Sequence, residues 1–173
     1  TDHYLQGLND DKIIDNSTGP SPYFANELNL RLKDEGGADN WGIFTTFTVP
    51  GATSTGFAIT NALGDNMVAA ASYLTDIGIN LNQKDAGGAD NWGKLTTVST
   101  GSYGPITNSE VNMRLIGDDT LIIADGLDAT SFSNGGVIYI YQKDEGGTDN
   151  WGLARTITPT YGAANTYFGY FFS

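Results

Sequence analysis

Short segments in which apolar and polar residues alternate occur three times along the chain, and each one ends at a lysine. Apolar residues stand five and three positions before Lys33, Lys84 and Lys143. Such alternation places one side of a strand in the core and the other toward solvent or a partner, so each segment is predicted to be a β-strand. The apolar positions are Leu28 and Leu30, Ile79 and Leu81, and Ile138 and Ile140; the positions between them are Asn29 and Arg31, Asn80 and Asn82, and Tyr139 and Tyr141.

Each of these lysines begins a copy of one ten-residue motif. The copies read KDEGGADNWG at 33–42, KDAGGADNWG at 84–93 and KDEGGTDNWG at 143–152. Thr-rich stretches start at 43, 94 and 153, and they predict a second strand after each copy. The motif is then a hairpin connection, in which glycines supply positive-φ corners and Asp and Asn side chains bond to their own backbone. Lys33 and Asp39 are expected to form a weak, exposed ion pair across it.

A second repeated signal precedes each motif and completes a unit of four strands. The segments LNDDKII at 8, LGDNMVA at 63 and IGDDTLI at 116 place short polar turns between apolar runs, which is typical of hairpins. The units are predicted at 1–50, 51–104 and 105–160, with one further strand at 167–173. Their strands are expected near 3–8, 12–15, 27–33 and 43–49; 57–63, 67–71, 78–83 and 94–100; and 110–116, 120–124, 136–142 and 153–158.

The composition supports an all-β fold. The 173 residues include 23 glycines and 12% aromatic residues, and no window shows the apolar period of a helix. Four-stranded antiparallel meanders repeated every 50 to 60 residues or so are typical of β-propeller blades. We therefore predict one repeat domain over 1–173, made of three propeller-type blades and the extra C-terminal strand.

The units resemble FG-GAP repeats, the blades of integrin α-like β-propellers, and in particular a bacterial type that carries the KDxGGxDNWG motif. The segments VIYIYQKDEGGTDNWG (137–152), YGAANTYFGY (161–170) and IGDDTLIIAD (116–125) carry the resemblance. Phe-Gly is kept only at Phe168 and Gly169, and AAA at 69–71 and IAD at 123–125 stand where the family has GAP. The resemblance implies blades of an extracellular adhesion protein.

The charge balance limits the partners. Twenty acidic and eight basic residues give a net charge of −12, which opposes binding to nucleic acid or anionic lipid, and no apolar run reaches the roughly 20 residues of a membrane span. Without cysteine, disulfides and thiolate metal sites are excluded. The chain begins at Thr1 rather than Met, as a processed, exported protein would, and an extracellular or cell-surface location is expected.

The acidic turns are interpreted as structural rather than as metal sites. Many FG-GAP members carry a calcium loop between the first two strands, whereas two or three residues stand at that place here, too few to supply the six to eight or so oxygens that calcium requires. No metal or cofactor is therefore expected. The acids of these turns are Asp10, Asp11, Asp65, Asp118 and Asp119.

A longer loop, ADGLDATSFSNGG at 124–136, offers Asp125, Asp128, Ser131 and Asn134 as candidate ligand-binding residues. A solvated loop is the alternative interpretation of these four residues. No catalytic residue is predicted, because the only histidine, His3, has no nucleophile signature beside it. A propeller hydrolase would need a convergent acid or His cluster, for which the sequence gives no candidate, and the chain is interpreted as non-enzymatic.

The tryptophans of the motif, Trp41, Trp92 and Trp151, have two interpretations. If their side chains are exposed, the three tryptophans would provide aromatic surfaces on which a carbohydrate can stack. The identity of the three copies favours instead a structural Trp that packs at a blade edge against the next blade, because binding usually resides in variable loops.

Three blades are fewer than the about four to eight that close a propeller, so open strand edges are expected. The predicted extra strand is strongly aromatic, with Tyr167, Phe168, Tyr170, Phe171 and Phe172. Strand addition would bury it against another unit. A fragment of a longer propeller, a homo-oligomer that completes the ring and a polymer are the three outcomes that such edges allow. The sequence favours a structural, adhesive repeat protein that forms homo-oligomers or polymers through blade edges and this assembly strand. The alternative is an adhesion module that binds a glycan or a cell-surface protein through the unequal loops.

Overall fold

The computed structural model describes residues 5–8, 11–18, 24–48, 59–72, 78–89, 91–98, 111–126, 133–148, 150–161 and 164–169. These residues form twelve β-strands and no helix, which confirms the predicted all-β class. The strands form three four-stranded sheets in which each strand pairs with the next along the chain. All of these pairings are antiparallel.

The three sheets follow one another along the chain. Sheet I contains β1 (Leu5–Leu8), β2 (Lys12–Thr18), β3 (Phe24–Lys33) and β4 (Trp41–Thr48). Sheet II contains β5 (Ile59–Leu63), β6 (Met67–Ser72), β7 (Ile79–Lys84) and β8 (Trp92–Val98). Sheet III contains β9 (Val111–Ile116), β10 (Thr120–Asp125), β11 (Val137–Lys143) and β12 (Trp151–Ile157). Each sheet is therefore a meander of four consecutive strands.

The fourth strand of every sheet begins at the Trp of the motif, two residues earlier than predicted. Trp41 is paired with Lys33, Trp92 with Lys84 and Trp151 with Lys143, so the motif's first and ninth residues close the hairpin. A register shift follows in each sheet, which leaves one residue of the fourth strand unpaired as in a β-bulge. The unpaired residues are Phe44, Leu95 and Ala154.

The core lies between sheets rather than inside any one of them. Sheet II buries both of its faces, because alternate residues of a strand point to opposite sides. On β6, Val68 and Ala70 pack with sheet I, while Met67, Ala69 and Ala71 pack with sheet III. The apolar partners on sheet I include Ile14, Leu28, Leu30 and Phe47, and those on sheet III include Leu121, Ile123, Val137, Tyr139 and Tyr141.

This stacking explains why the polar positions of the alternating pattern are also buried. Asn80 and Asn82 lie on the side of sheet II that carries Val68 and Ala70, and only 4% and 7% of their surface is exposed. The hydroxyl of Thr97 donates to Asn80 Oδ1 at 2.9 Å, which satisfies the amide oxygen inside the interface. The second side of these strands therefore faces a neighbouring sheet.

The described part of the predicted C-terminal strand is not a strand. Tyr167 and Gly169 have φ of 50° and 82°, which an extended strand cannot contain. Residues 164–169 instead form turns against sheet III, where the backbone N–H groups of Tyr167 and Phe168 donate to the carbonyls of Asn134 and Gly135 at 3.1 and 3.0 Å. The prediction was wrong over 167–169, and Tyr170, Phe171 and Phe172 lie outside the described residues.

Candidate functional site

The ten-residue motif is built as a self-contained turn. In the first copy, Gly37 N donates to Asp34 O at 3.0 Å and Asn40 N donates to Gly37 O at 2.9 Å. Asp34 Oδ1 accepts the backbone N–H of Asp39 at 2.7 Å, so a side chain bonds to its own loop as predicted. Lys33 Nζ lies 3.7 Å from Asp39 Oδ1, as an exposed ion pair. The polar groups of the motif are therefore used within the turn.

The same backbone geometry recurs in the other two copies. The central glycines have φ of 103°, 108° and 104°, and the Asp after each lysine also has a positive φ, which the sequence pattern did not reveal. The last glycine lies against the first one: a Cβ on Gly42 would meet Gly36 N at 2.5 Å, and Gly93 and Gly152 stand in the same relation to Gly87 and Gly146. The geometry that the described residues of the three turns share indicates architecture rather than three sites.

The motif's tryptophans lie on the side of each sheet that carries the polar positions of β3, β7 and β11. Trp92 therefore points toward sheet I, where its ring meets Phe47 edge-on with centroids 6.2 Å apart and an interplanar angle of 67°. Trp151 packs in the same way against the cluster between sheets II and III. Trp41 is half-buried on the side of sheet I that faces away from sheet II.

The short acidic turn of sheet III is joined to the equivalent turn of sheet II. The backbone N–H of Asn66 donates to Asp118 Oδ1 at 2.8 Å, and the side-chain Nδ2 of Asn66 donates to Asp118 Oδ2 at 2.9 Å. Both carboxylate oxygens of Asp118 are therefore engaged by the turn of sheet II. Asp119 accepts from the hydroxyl of Thr120 at 3.0 Å. Among the described residues, no group of three His, Asp or Glu side chains is arranged to hold a metal ion.

The candidate loop residues are only partly described. Asn134 Nδ2 donates to Asn165 Oδ1 at 2.8 Å, so Asn134 fastens the segment 164–169 to the start of β11. Asp125 is the last residue of β10 and is half-buried. Asp128 and Ser131 lie outside the described residues.

A cleft of about 440 Å³ opens between sheets I and II at the end that carries the turns. Leu32, Phe44 and Trp92 provide its apolar wall. Charged and polar groups are supplied by Asp11, Lys12, Asn66 and Lys84, of which Lys12 Nζ lies 2.8 Å from Asp11 Oδ1. The cleft joins an indole to polar groups of both charges, a combination that the sequence pattern could not indicate because its two walls come from different repeats.

Sheet I presents a polar network on the side away from sheet II, which we call its outer face. Asp15 is the centre of the network: Asn29 Nδ2 donates to Asp15 Oδ1 at 2.9 Å, and Arg31 Nε donates to Oδ2. The hydroxyl of Thr46 donates to Asn29 Oδ1 at 2.9 Å, as Thr97 does to Asn80 in sheet II. Only 6% of Asp15 is exposed, so its carboxylate is both buried and paired.

Sheet III presents an apolar surface on the side away from sheet II, which we call its outer face. Cross-strand pairing aligns Ile122 with Ile140 and Ile138 with Ile157. All four are half-buried, whereas Tyr139 and Tyr141, which point toward sheet II, are 4% and 3% exposed. Arg114 and Arg155 lie at the ends of the Ile122–Ile140 row and are exposed.

Comparison with known proteins does not assign the chain to a family. No protein-family model matches the chain, and no curated protein sequence is significantly similar to it. None of the described residues belongs to a helix long and apolar enough to cross a membrane.

Proposed function

We propose that the protein is a non-enzymatic, structural and adhesive repeat protein that associates with copies of itself. The observation that carries this proposal is the stacking of three equivalent sheets through two different faces. Four core positions are 0 to 7% exposed in sheet I, where they are Ile14, Leu28, Leu30 and Phe47. Their equivalents in sheet III, Ile122, Ile138, Ile140 and Ile157, are only half-buried, which leaves an apolar surface typical of an interaction site.

The proposed architecture is a set of propeller-type blades of the FG-GAP kind. The position of residues 168–169 supports it. Gly169 lies over sheet III, where an added Cβ would be 3.1 Å from both Ala124 Cβ and Ile138 Cγ1. Gly169 thus lies beside Ala124 of the IAD segment, which occupies the place of GAP.

The proposed setting is extracellular or at the cell surface, where a cysteine-free, acidic repeat protein acts as an assembly or adhesion element. Its proposed partners are first of all copies of the same chain. The sequence predicts contacts through blade edges and through the aromatic C-terminal segment 167–173. The half-buried face of sheet III adds a third route, through sheet faces.

Light scattering and sedimentation velocity of the full chain over a wide concentration range test the proposal. Self-association predicts a mass that is a multiple of 18.4 kDa. Deletion of 167–173 then shows whether the C-terminal segment contributes. A chain that remains monomeric at every concentration contradicts the proposal.

A second candidate function is the binding of a glycan, and the cleft between sheets I and II favours it. Its volume of about 440 Å³ is in the range of about 300 to 1,000 Å³ that small-molecule sites occupy. Trp92 offers an indole for a sugar ring, and Lys84 offers a cation for an acidic sugar. This site differs from the unequal loops that the sequence suggested for such a ligand.

Titration with a uronic-acid oligosaccharide, followed by tryptophan fluorescence, tests the second candidate. Binding in the cleft should be lost in Lys84→Gln and kept in Lys143→Gln, because Lys143 occupies the equivalent position in sheet III. A neutral oligosaccharide should bind more weakly. Equal binding by both variants would place the ligand elsewhere.

A further inference from the structure

We propose that a second copy of the chain places the outer face of its sheet I on the outer face of sheet III, head to tail. This inference rests on the proposed self-association and specifies its interface. Within one chain, sheet II already stacks on sheet I, and sheet III stacks on sheet II, through the same two kinds of face. The intermolecular contact would repeat that stacking once more.

The face of sheet III corresponds position by position to the faces that are covered inside the chain. Ile138 and Ile140 stand where sheet I has Leu28 and Leu30, five and three residues before the lysine of the motif. Ile122 is paired with Ile140 as Ile14 is paired with Leu30. Each of these positions in sheet I is 0% exposed beneath sheet II. Sheet III therefore carries a surface already formed for a following sheet.

The outer face of sheet I corresponds to the face that sheet II uses to cover sheet I. Asn29 and Thr46 form the same 2.9 Å hydrogen bond as Asn80 and Thr97, which lie inside that contact. Ile13 is paired with Arg31 as Val68 is paired with Asn82, and Val68 is fully buried while Ile13 is half-buried. Asn29 and Asp15 are only 4% and 6% exposed within one chain, so their polar groups are paired and buried without a partner. The half-buried Ile13 and Trp41 of this face would provide the contact surface.

Trp41 is expected to be the central contact of this interface. Trp92, its equivalent on sheet II, packs against Phe47 of the preceding sheet. The position of Phe47 is taken in sheet III by Ile157, which is half-buried. The ring of Trp41 from one copy would therefore meet Ile157 of the other. Tryptophan in a desolvated apolar contact often dominates the binding energy of an interface.

Two exposed isoleucines mark the rims of the two faces. Ile43 is paired with Arg31 on sheet I, and Ile116 is paired with Thr120 on sheet III; each is 53% exposed. Residues 164–169 lie at the Ala124–Ile138 corner of the sheet III face and would border the contact. Because the two faces differ, the contact is heterologous and produces either closed rings or open filaments.

Two variants that each block one face test the inference. Ile43→Arg blocks sheet I and Ile140→Arg blocks sheet III. At concentrations where the unmodified chain associates, each variant alone should sediment as a monomer. The concentration at which half of the variant is associated should be about tenfold or more above that of the unmodified chain. An equimolar mixture should form a dimer that grows no further, because each variant keeps one intact face. Ile116→Arg, at a more exposed position, replaces Ile140→Arg if that variant unfolds.

The outcomes separate this inference from the proposed function. If both variants assemble like the unmodified chain, association proceeds through strand edges, and the inference fails while the proposed function stands. If Ile43→Arg alone still dimerises while Ile140→Arg does not, two sheet III faces pair with each other, and the head-to-tail contact is overturned. If the unmodified chain is monomeric at every concentration, both proposals fail. Circular dichroism establishes that each variant is folded.

Discussion

Asp118 of sheet III holds Asn66 of sheet II with both carboxylate oxygens, at 2.8 Å to the backbone nitrogen and 2.9 Å to Nδ2. The two residues are 52 positions apart and lie in equivalent turns of adjacent repeats. A charged, bidentate contact of this kind fixes the relative position of the two sheets at their turn-bearing ends. The acidic turn of sheet III thus contributes to the stacking of sheet III on sheet II.

Asp118→Ala is expected to lower the free energy of unfolding by about 1 to 2 kcal/mol, because two hydrogen bonds to a charged group are lost at a half-buried site. Chemical denaturation measures the change. Asp65→Ala is the matched control at the equivalent, exposed position of sheet II, where a change within about 0.5 kcal/mol is expected. Equal losses in both variants would mean that the acidic turns act locally and not between sheets.

The strands of this fold could be predicted because alternation and repetition act locally. Polar residues between apolar ones, as at Asn80 and Asn82, identify a strand whatever covers them. The sequence could not show that this polar side is also buried, because its covering sheet comes from a different repeat. The cleft beside Trp92 could not be predicted for the same reason, because the walls of the cleft belong to sheets I and II.

The backbone irregularities were not predictable from the pattern. The bulge at Phe44 follows directly after the close approach of Gly42 to Gly36, and both exist only in the folded hairpin. The aromatic residues of 167–173 predicted a strand, but its described part, 167–169, lies in the turn-forming segment 164–169. Hydrogen bonds to the carbonyls of Ser133, Asn134 and Gly135 instead hold it in turns with positive φ. Tertiary contacts override strand propensity at such positions.

Replacement of equivalent isoleucines is expected to distinguish the face of sheet I that sheet II covers from the half-buried outer face of sheet III. Ile14 is 0% exposed and Ile122 is half-buried at the same position of sheets I and III. Ile14→Ala should lower the stability of the monomer by about 2 to 5 kcal/mol. Ile122→Ala should lower it by about 1 kcal/mol, because fewer contacts are lost. Denaturation at concentrations below association measures both, and equal losses would indicate that the sheet III face is covered within the monomer.

Gly136→Ala is expected to detach the segment 164–169 from sheet III. A Cβ at Gly136 would lie 2.1 Å from Phe168 O, and its φ of 78° strains any other residue. Gly117→Ala separates the steric clash from the backbone strain. Gly117 also has a positive φ, of 59°, but the nearest atom to a Cβ added there is Asp119 Oδ1 at 3.8 Å, so no clash is expected. The Gly136 variant should be less stable by about 1 to 3 kcal/mol than the Gly117 variant. Faster proteolysis after position 160 in the Gly136 variant alone would locate the change, and similar behaviour of the two variants would contradict it.

Asp15→Ala is expected to be among the more destabilising polar substitutions. The carboxylate accepts bonds from Asn29 and Arg31 while only 6% of Asp15 is exposed, so its removal leaves an amide and a guanidinium without that partner in a largely buried place. The expected loss is about 2 to 3 kcal/mol. Lys33→Gln is the control, because it removes an exposed ion pair of 3.7 Å that is worth about 0 to 1 kcal/mol. Thermal denaturation in low and high salt distinguishes the buried pair from the exposed one. The loss of stability in Asp15→Ala should persist in high salt, since buried pairs are screened little. A loss that disappears with salt would show that the outer face of sheet I is solvated and its network is not preformed.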